Sequence, residues 1–138
     1  MLTKERKVAK KTRIAIIEDN PDNLSLMTYL LTQFGYETIS SMDGEGGVTL
    51  VEGQQPDLVL CDLRLPKLNG YEIVKKIKSQ EKLKNIPMIA VTAYSMLGDK
   101  DTALEAGFDG YLSKPIDPEN FVKQVELFLK NGPLPGKK

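Results

Sequence analysis

The sequence has no histidine, no tryptophan and one cysteine, Cys61. Without histidine the chain can build neither a Ser-His-Asp triad nor an imidazole zinc site, and it cannot carry a phosphohistidine. A single cysteine forms no internal disulfide or thiolate cluster, so we expect a reducing, cytoplasmic setting and a buried core thiol. No apolar run approaches the length of a membrane span, and the basic first residues are not followed by the apolar segment of a signal peptide.

The charge is balanced overall but unevenly distributed. The 138 residues are 41% hydrophobic and include 19 basic and 19 acidic side chains, a composition typical of one globular domain. Residues 1–13 hold six basic side chains and one acidic one, so they carry +5 and the remainder carries −5. We expect a basic arm over 1–11, a domain over 12–130 and a flexible tail over 131–138. The arm has no aromatic residue, so it is predicted to be a solvated tail or to dock on an acidic partner, and not to bind nucleic acid.

Five short runs rich in β-branched residues predict strands. They are residues 14–17, 37–40, 58–61, 88–91 and 108–112. Three of these runs are continuously apolar, which is typical of strands buried on both faces of a parallel sheet.

Helical signals lie between and after these runs. They predict helices from Asn20-Pro21 to Gly35, over 44–54, around Ile73 to Ile77, over 95–106 and from Phe121 onward. Leu24, Met27, Leu31 and Phe34 form the apolar stripe of the first helix. Because strands and helices alternate five times, we predict an α/β, flavodoxin-like, doubly wound sheet of five parallel strands ordered 2-1-3-4-5.

Polar residues follow four of the predicted strands. Glu18-Asp19, Asp62, Thr92 and Lys114 come directly or shortly after strand ends, which converge on one edge of such a sheet. Any one aspartate there could be a turn residue or a helix cap, but packing does not require this whole set. Clustered carboxylates favour Mg²⁺, which prefers oxygen ligands. Together with a lysine and a hydroxyl they predict a phosphoryl-binding site with Asp62 as nucleophile.

Two other classes of protein share parts of this pattern, but their motifs differ from the residues of this chain. Phosphatases with an aspartate nucleophile are identified by the motif D-x-D-x-T, in which the second aspartate speeds turnover. This chain has Arg64 at the position of that second aspartate. A flavin mononucleotide binder needs a Ser/Thr/Gly-rich phosphate loop after the first strand, whereas residues 18–22 are acidic and would repel a phosphate. The run of glycines over 44–47 does not complete G-x-G-x-x-G and is predicted to mark a turn into a helix.

Five stretches, in order, resemble the receiver domain of two-component response regulators. They are residues 16–20, 57–62, 65–70, 91–93 and 111–115. The resemblance spans about residues 12–130. Within the family, the chain resembles the small stand-alone regulators of bacterial cell division and differentiation. It implies phosphorelay signalling with a sensor histidine kinase or histidine phosphotransfer protein as donor and a downstream effector protein as receiver of the signal. The resemblance also implies that the chain is not an enzyme with an independent substrate. It would catalyse only its own phosphorylation and its own slow dephosphorylation.

The resemblance assigns roles at the strand ends. Asp62 would be the phosphoacceptor, and Glu18, Asp19, Asp62 and the backbone carbonyl of Arg64 would hold Mg²⁺. Thr92 and Lys114 would bind phosphoryl oxygens, with Lys114 paired to Asp62 beforehand. Pro115 would follow a cis peptide bond, and Gly70 would let the loop after Asp62 turn back into the next helix.

The resemblance also implies a switch and a lifetime control. Thr92 would move toward the phosphoryl group and Tyr111 into the space left, shifting the surface of the 95–106 helix, the last strand and the last helix; otherwise Tyr111 is an ordinary strand aromatic. Arg64 and Tyr94 occupy the variable positions that tune lifetime, and their bulk predicts slow hydrolysis, unless they only contact partners or solvent. Because residues 130–138 offer no output domain, we expect a stand-alone monomer or phosphorylation-dependent dimer; the alternative is a receiver excised from a larger hybrid kinase or regulator.

Overall fold

The computed structural model describes residues 11–93 and 99–131. Within them five strands alternate with five helices, whose bounds are β1 (Arg13–Ile17), α1 (Pro21–Gln33), β2 (Glu37–Ser41), α2 (Gly44–Gln54), β3 (Leu58–Asp62), α3 (Gly70–Lys78), β4 (Met88–Thr92), α4 (Asp99–Ala106), β5 (Gly110–Ser113) and α5 (Phe121–Asn131). All pairings are parallel and the strand order is β2-β1-β3-β4-β5. The predicted fold class and strand order are therefore confirmed.

The core lies in two layers, one on each face of the sheet. The helices α1 and α5 cover one face, where Met27, Leu31 and Phe121 pack on alternate strand residues such as Ile16 and Leu60. The helices α2, α3 and α4 cover the other face. Because both faces are covered, β1, β3 and β4 are almost entirely buried, and Cys61 is a buried free thiol, as predicted.

Local capping positions the helices that follow β1 and β3. The Asn20 side chain accepts a hydrogen bond from the Asn23 backbone N–H at 3.0 Å, with Pro21 at the first helical position, as the sequence predicts. Before α3, Asn69 and Glu72 form a reciprocal capping box with two bonds of 3.0 Å. Both helices thus begin at defined residues, α1 directly after residues 18–20 and α3 at the end of the loop over 63–69.

Two expectations from the sequence are wrong in detail. The helical spacing predicts that Phe34 continues the apolar stripe of α1, but the helix ends at Gln33 and the Phe34 side chain is 64% exposed. The last strand begins at Gly110 and not at Phe108, because the backbone and carboxylate of Asp109 are bound to the start of β4.

Among the described residues no helix is long and apolar enough to cross a membrane. Outside the described residues lie positions 1–10 of the predicted arm, Tyr94, positions 95–98 of the helix predicted over 95–106, and positions 132–138 of the predicted tail.

Candidate functional site

Asp62 ends the central strand, β3, and its side chain lies at the carboxyl edge of the sheet. It is only 5% exposed. Its Oδ1 accepts a hydrogen bond from the Arg64 backbone N–H at 3.0 Å, and its Oδ2 accepts one from the Lys114 ammonium at 2.9 Å. Each carboxylate oxygen is therefore held by a different segment, Oδ1 by the loop after β3 and Oδ2 by the residue that follows β5.

Glu18 follows β1, the neighbouring strand, and is fully buried. Its Oε2 accepts hydrogen bonds from the Asn20 backbone N–H and the Lys114 ammonium, both at 3.1 Å. Its Oε1 lies 3.0 Å from the same ammonium nitrogen, yet it has no hydrogen bond of its own. The Glu18 backbone N–H donates to the Ser41 carbonyl at 3.0 Å, which ties this residue to the end of β2.

Asp19 completes a group of three carboxylates. Oxygen atoms of Glu18, Asp19 and Asp62 lie within 4.8 Å of one another, and Asp19 is the exposed member. Two buried carboxylates and one exposed carboxylate therefore face one small volume that opens to solvent on the side of Asp19.

The electrostatics of the site follow from burial. Burial, and then the charge of Asp62, raise the pKa of Glu18 to about 7, although hydrogen bonds from Lys114 and Asn20 act in the opposite direction. Burial alone would lower the pKa of Lys114, but its hydrogen bonds and charge contacts with Asp62 and Glu18 outweigh burial and raise it. The lysine is thus held as a cation between two carboxylates.

The site suits a hard divalent cation. The possible metal ligands in this group are the oxygen atoms of three carboxylates. The exposed side of the group leaves room for water, as Mg²⁺ requires. The buried Glu18 Oε1 accepts no hydrogen bond and is paired with the Lys114 ammonium by charge alone at 3.0 Å, so it retains lone pairs that a cation would bind. The residues present therefore fit the metal that the sequence resemblance implies.

The remaining predicted residues lie on the two neighbouring strand ends. Thr92 ends β4 and is almost fully buried, and its carbonyl accepts a hydrogen bond from the Lys114 backbone N–H at 2.8 Å. The Lys114-Pro115 peptide bond is cis, which confirms that prediction. Tyr111 lies on β5, opposite Ala90 of β4, and packs partly buried against the core on the α4 side. Arg64 is exposed, two residues beyond Asp62.

Sequence reasoning missed two elements of the site. It gave no role to Ser41, whose carbonyl binds the Glu18 backbone, because any residue type supplies a main-chain acceptor. It also treated Gly44 only as part of a turn into a helix. The position does begin α2, but its close contact with the loop after Asp62 depends on packing between distant segments. The glycine itself was the one available signal.

Comparisons with known proteins agree with this geometry. The family model for the response regulator receiver domain matches residues 14–126. Among curated relatives, the polar-differentiation response regulators DivK of Brucella ovis and Brucella anthropi are 39% and 38% identical over 116 residues, which cover 84% of this chain and 94% of each relative. The aligned region is therefore nearly the whole of those proteins.

Solved structures give the same match. The receiver domain of a sensor histidine kinase from Pseudomonas aeruginosa, with magnesium coordinated in its active-site cleft, has a TM-score of 0.80 and 33% identity, covering 87% of this chain and 98% of that one. A CheY-like receiver domain protein from Methanospirillum hungatei has a TM-score of 0.81 and 27% identity, covering 89% of this chain and 97% of that one.

Proposed function

Because this chain belongs to the response regulator receiver domain family of two-component signalling, we propose that Asp62 is its phosphoacceptor. The donor would be a phosphohistidine on a sensor histidine kinase or a histidine phosphotransfer protein, since the chain has no histidine of its own. In the transfer the phosphorus–nitrogen bond of the donor breaks, a bond from phosphorus to a carboxylate oxygen of Asp62 forms, and the imidazole keeps the electron pair.

The single observation that carries this proposal is the bridging position of Lys114. Its ammonium lies 2.9 Å from Asp62 Oδ2 and 3.0 Å from Glu18 Oε1 at the carboxyl edge of the sheet. A cation held there neutralises the carboxylates before transfer and is placed to pair with a phosphoryl oxygen afterwards. The Thr92 hydroxyl, on the adjacent strand end, would donate to another phosphoryl oxygen.

We assign the metal site to Glu18, Asp19, Asp62 and the backbone carbonyl of Arg64. Mg²⁺ bound there would neutralise charge on the transferring group. The protein's own contribution is to hold these oxygens close together despite their repulsion, through the Lys114 contacts and the backbone bonds to Asp62 and Glu18.

The output would be a change in surface shape. Phosphorylation replaces the single negative charge of the Asp62 carboxylate with a phosphoryl group that carries roughly −2 charge at pH 7, beside Thr92. We propose that Thr92 is drawn inward, that Tyr111 follows into the vacated space, and that the surface formed by α4, β5 and α5 then changes its affinity for an effector protein. Tyr111 is suited to this part because it is only partly buried on β5.

The chain would act as a phosphorylation switch in the cytoplasm and not as an enzyme with its own substrate. Its domain would span 12–130, between a basic arm and a short tail, and it would work as a monomer or a phosphorylation-dependent dimer. A phosphatase with an aspartate nucleophile is not favoured, because the chain belongs to the receiver family. Arg64 also occupies the position at which the motif of such phosphatases has a second aspartate. Slow self-dephosphorylation is the hydrolysis that we propose.

The test is covalent labelling of the whole chain. Incubation with acetyl phosphate and Mg²⁺ should add one phosphoryl group, detected by intact mass, and Asp62→Asn should remove this labelling. The matched control is Asp57→Asn, an exposed carboxylate just before the opposite end of the same strand, which should label like the wild type. Unchanged labelling of Asp62→Asn would refute the assignment of the phosphoacceptor.

A further inference from the structure

The first turn of α2 lies directly against the loop that follows Asp62. The Gly44 backbone N–H donates to the Pro66 carbonyl at 3.3 Å, and the Lys67 ammonium lies 3.9 Å from Asp43 Oδ2. There is no room for a side chain at Gly44: a Cβ atom would overlap the Leu68 carbonyl oxygen and lie 2.6 Å from the Leu68 Cβ. The loop over 63–69 therefore rests on the backbone of α2.

The same helical turn also contacts the end of β1. Gly47 lies one turn beyond Gly44, on the same side of the helix, and a Cβ atom there would lie 2.7 Å from Ile17 Cδ1. Ile17 immediately precedes Glu18, whose backbone N–H is bound to the Ser41 carbonyl. The Ser41 hydroxyl in turn donates to the Asp43 carbonyl at 3.0 Å, which fastens the connection between β2 and α2.

We propose that residues 41–47, which we term the α2 support, set the spacing between the two segments that carry the metal ligands, with Gly44 as the positioning residue. This inference rests on the proposed function, because it takes Glu18, Asp19 and the Arg64 carbonyl as ligands. Ser41 and Gly47 contact the segment that leads to Glu18 and Asp19, and Gly44 contacts the loop that contains Arg64. No residue of the support belongs to the ligand set itself.

The chemistry of the metal makes this spacing important. Mg²⁺ demands near-ideal octahedral geometry at short distances, so a small outward shift of one ligand weakens binding. A methyl group at Gly44 meets a backbone oxygen, which cannot rotate away, and the loop after Asp62 must therefore move as a unit. Changes in groups that orient metal ligands typically weaken metal affinity by about 10–100-fold.

Gly53 provides a matched control on the same helix. A Cβ atom at Gly53 meets nothing within 4 Å, so Gly53→Ala makes the same chemical change without a contact. The experiment is calorimetric titration of each full-length protein with Mg²⁺, together with thermal unfolding in chelator to verify folding. Gly44→Ala should raise the dissociation constant for Mg²⁺ by about tenfold or more, whereas Gly53→Ala should leave it at the wild-type value.

The possible results distinguish failure of the proposed Mg²⁺ site from failure of the α2 support. If the wild type binds no Mg²⁺, the proposed function is wrong; if the wild type binds and folded Gly44→Ala binds equally well, the α2 support is wrong. Lower thermal stability of Gly44→Ala with an unchanged dissociation constant indicates a packing role only and also overturns the proposal. Should Gly44→Ala not fold, Ser41→Ala decides, because it loosens the support without a clash; an unchanged dissociation constant in that variant refutes positioning.

Discussion

The ammonium nitrogen of Lys114 lies 2.9 Å from Oδ2 of Asp62, although 52 positions separate the two residues in the chain. The same nitrogen contacts Glu18, from which it is 96 positions distant. The carboxyl ends of three strands thus meet at one lysine. Its charge permits two carboxylates to remain buried side by side, which is the condition for a cation and phosphoryl site at this edge.

Removal of that charge should make folding dependent on a divalent cation. Lys114→Met retains the length of the side chain but leaves Asp62 and Glu18 buried without their partner, so in chelator the free energy of unfolding should fall by about 3 kcal/mol. Added Mg²⁺ should restore part of this loss, and by more than it stabilises the wild type. Urea denaturation with and without Mg²⁺ measures both effects. Lys123→Met, an exposed lysine on α5, serves as control; equal behaviour of the two variants would contradict the prediction.

Arg64 should slow the loss of the phosphoryl group. Its exposed side chain lies two residues beyond Asp62, where its bulk would hinder the approach of water in line with the bond to be broken. Arg64→Ala should accelerate dephosphorylation severalfold, which corresponds to a barrier lowered by about 1 kcal/mol. The decay of the phosphorylated mass after removal of the donor measures the rate. Arg64→Lys retains a long side chain and should decay like the wild type; a wild-type rate in both Arg64→Ala and Tyr94→Ala would refute control of lifetime by bulk.

Thr92 should couple phosphorylation to the output surface. Thr92→Val preserves the shape of this buried residue but removes the hydroxyl that we expect to donate to the phosphoryl group. The variant should still be labelled at Asp62, while hydrogen exchange over residues 99–113 should no longer change when beryllofluoride and Mg²⁺ are added. Thr38→Val, on the edge strand β2, is the control and should respond fully. A full response in Thr92→Val would eliminate the hydroxyl from the switch.

A second ion pair should contribute to the stability of the fold away from the site. The Lys78 ammonium donates to Asp109 Oδ2 at 2.8 Å and to the carbonyls of Lys84 and Ile86 at 3.0 and 2.7 Å. Since Asp109 is buried, Lys78→Met should lower the free energy of unfolding by about 3 kcal/mol, measured in urea. Lys75→Met, which alters an exposed lysine on the same helix, should change it little. A loss no larger than that of Lys75→Met would show that the pair contributes nothing net.

Ionisation of the Tyr36 side chain should lower the stability of the protein at alkaline pH. Burial, followed by its hydrogen bond to Glu126, raises the pKa of Tyr36 from 10.0 to about 12. The folded state therefore retains this proton more tightly than the unfolded state does, so its contribution is complete below pH 10 and is lost as the pH rises through about 12. Tyr36→Phe should show a smaller loss of stability between those values, measured by urea denaturation at each pH. Because the side chain is partly exposed, the difference should be modest; identical pH profiles would contradict it.

Much of the fold was predictable because its signals are local. The Asn20-Pro21 pair specifies the start of α1, and continuous apolar runs specify the central strands. The errors lie where a local pattern and the tertiary structure disagree. The spacing of Phe34 continues the apolar stripe, but α1 has ended and Gly35, with φ +91°, turns the chain away. Phe108 is apolar and buried like a strand residue, yet pairing of β5 with β4 begins only at Gly110.

The candidate site was predictable in its residues but not in its contacts. The sequence by itself determined the fold class and which side chains follow the strand ends, because strand order and parallel pairing bring those ends to one edge. Only the tertiary structure decided that Glu18 is buried enough for its pKa to rise to about 7, that Lys114 bridges it to Asp62, and that α2 packs against the loop after Asp62 at Gly44. These properties depend on atomic distances between segments far apart in the chain, and no local pattern of residues encodes such distances.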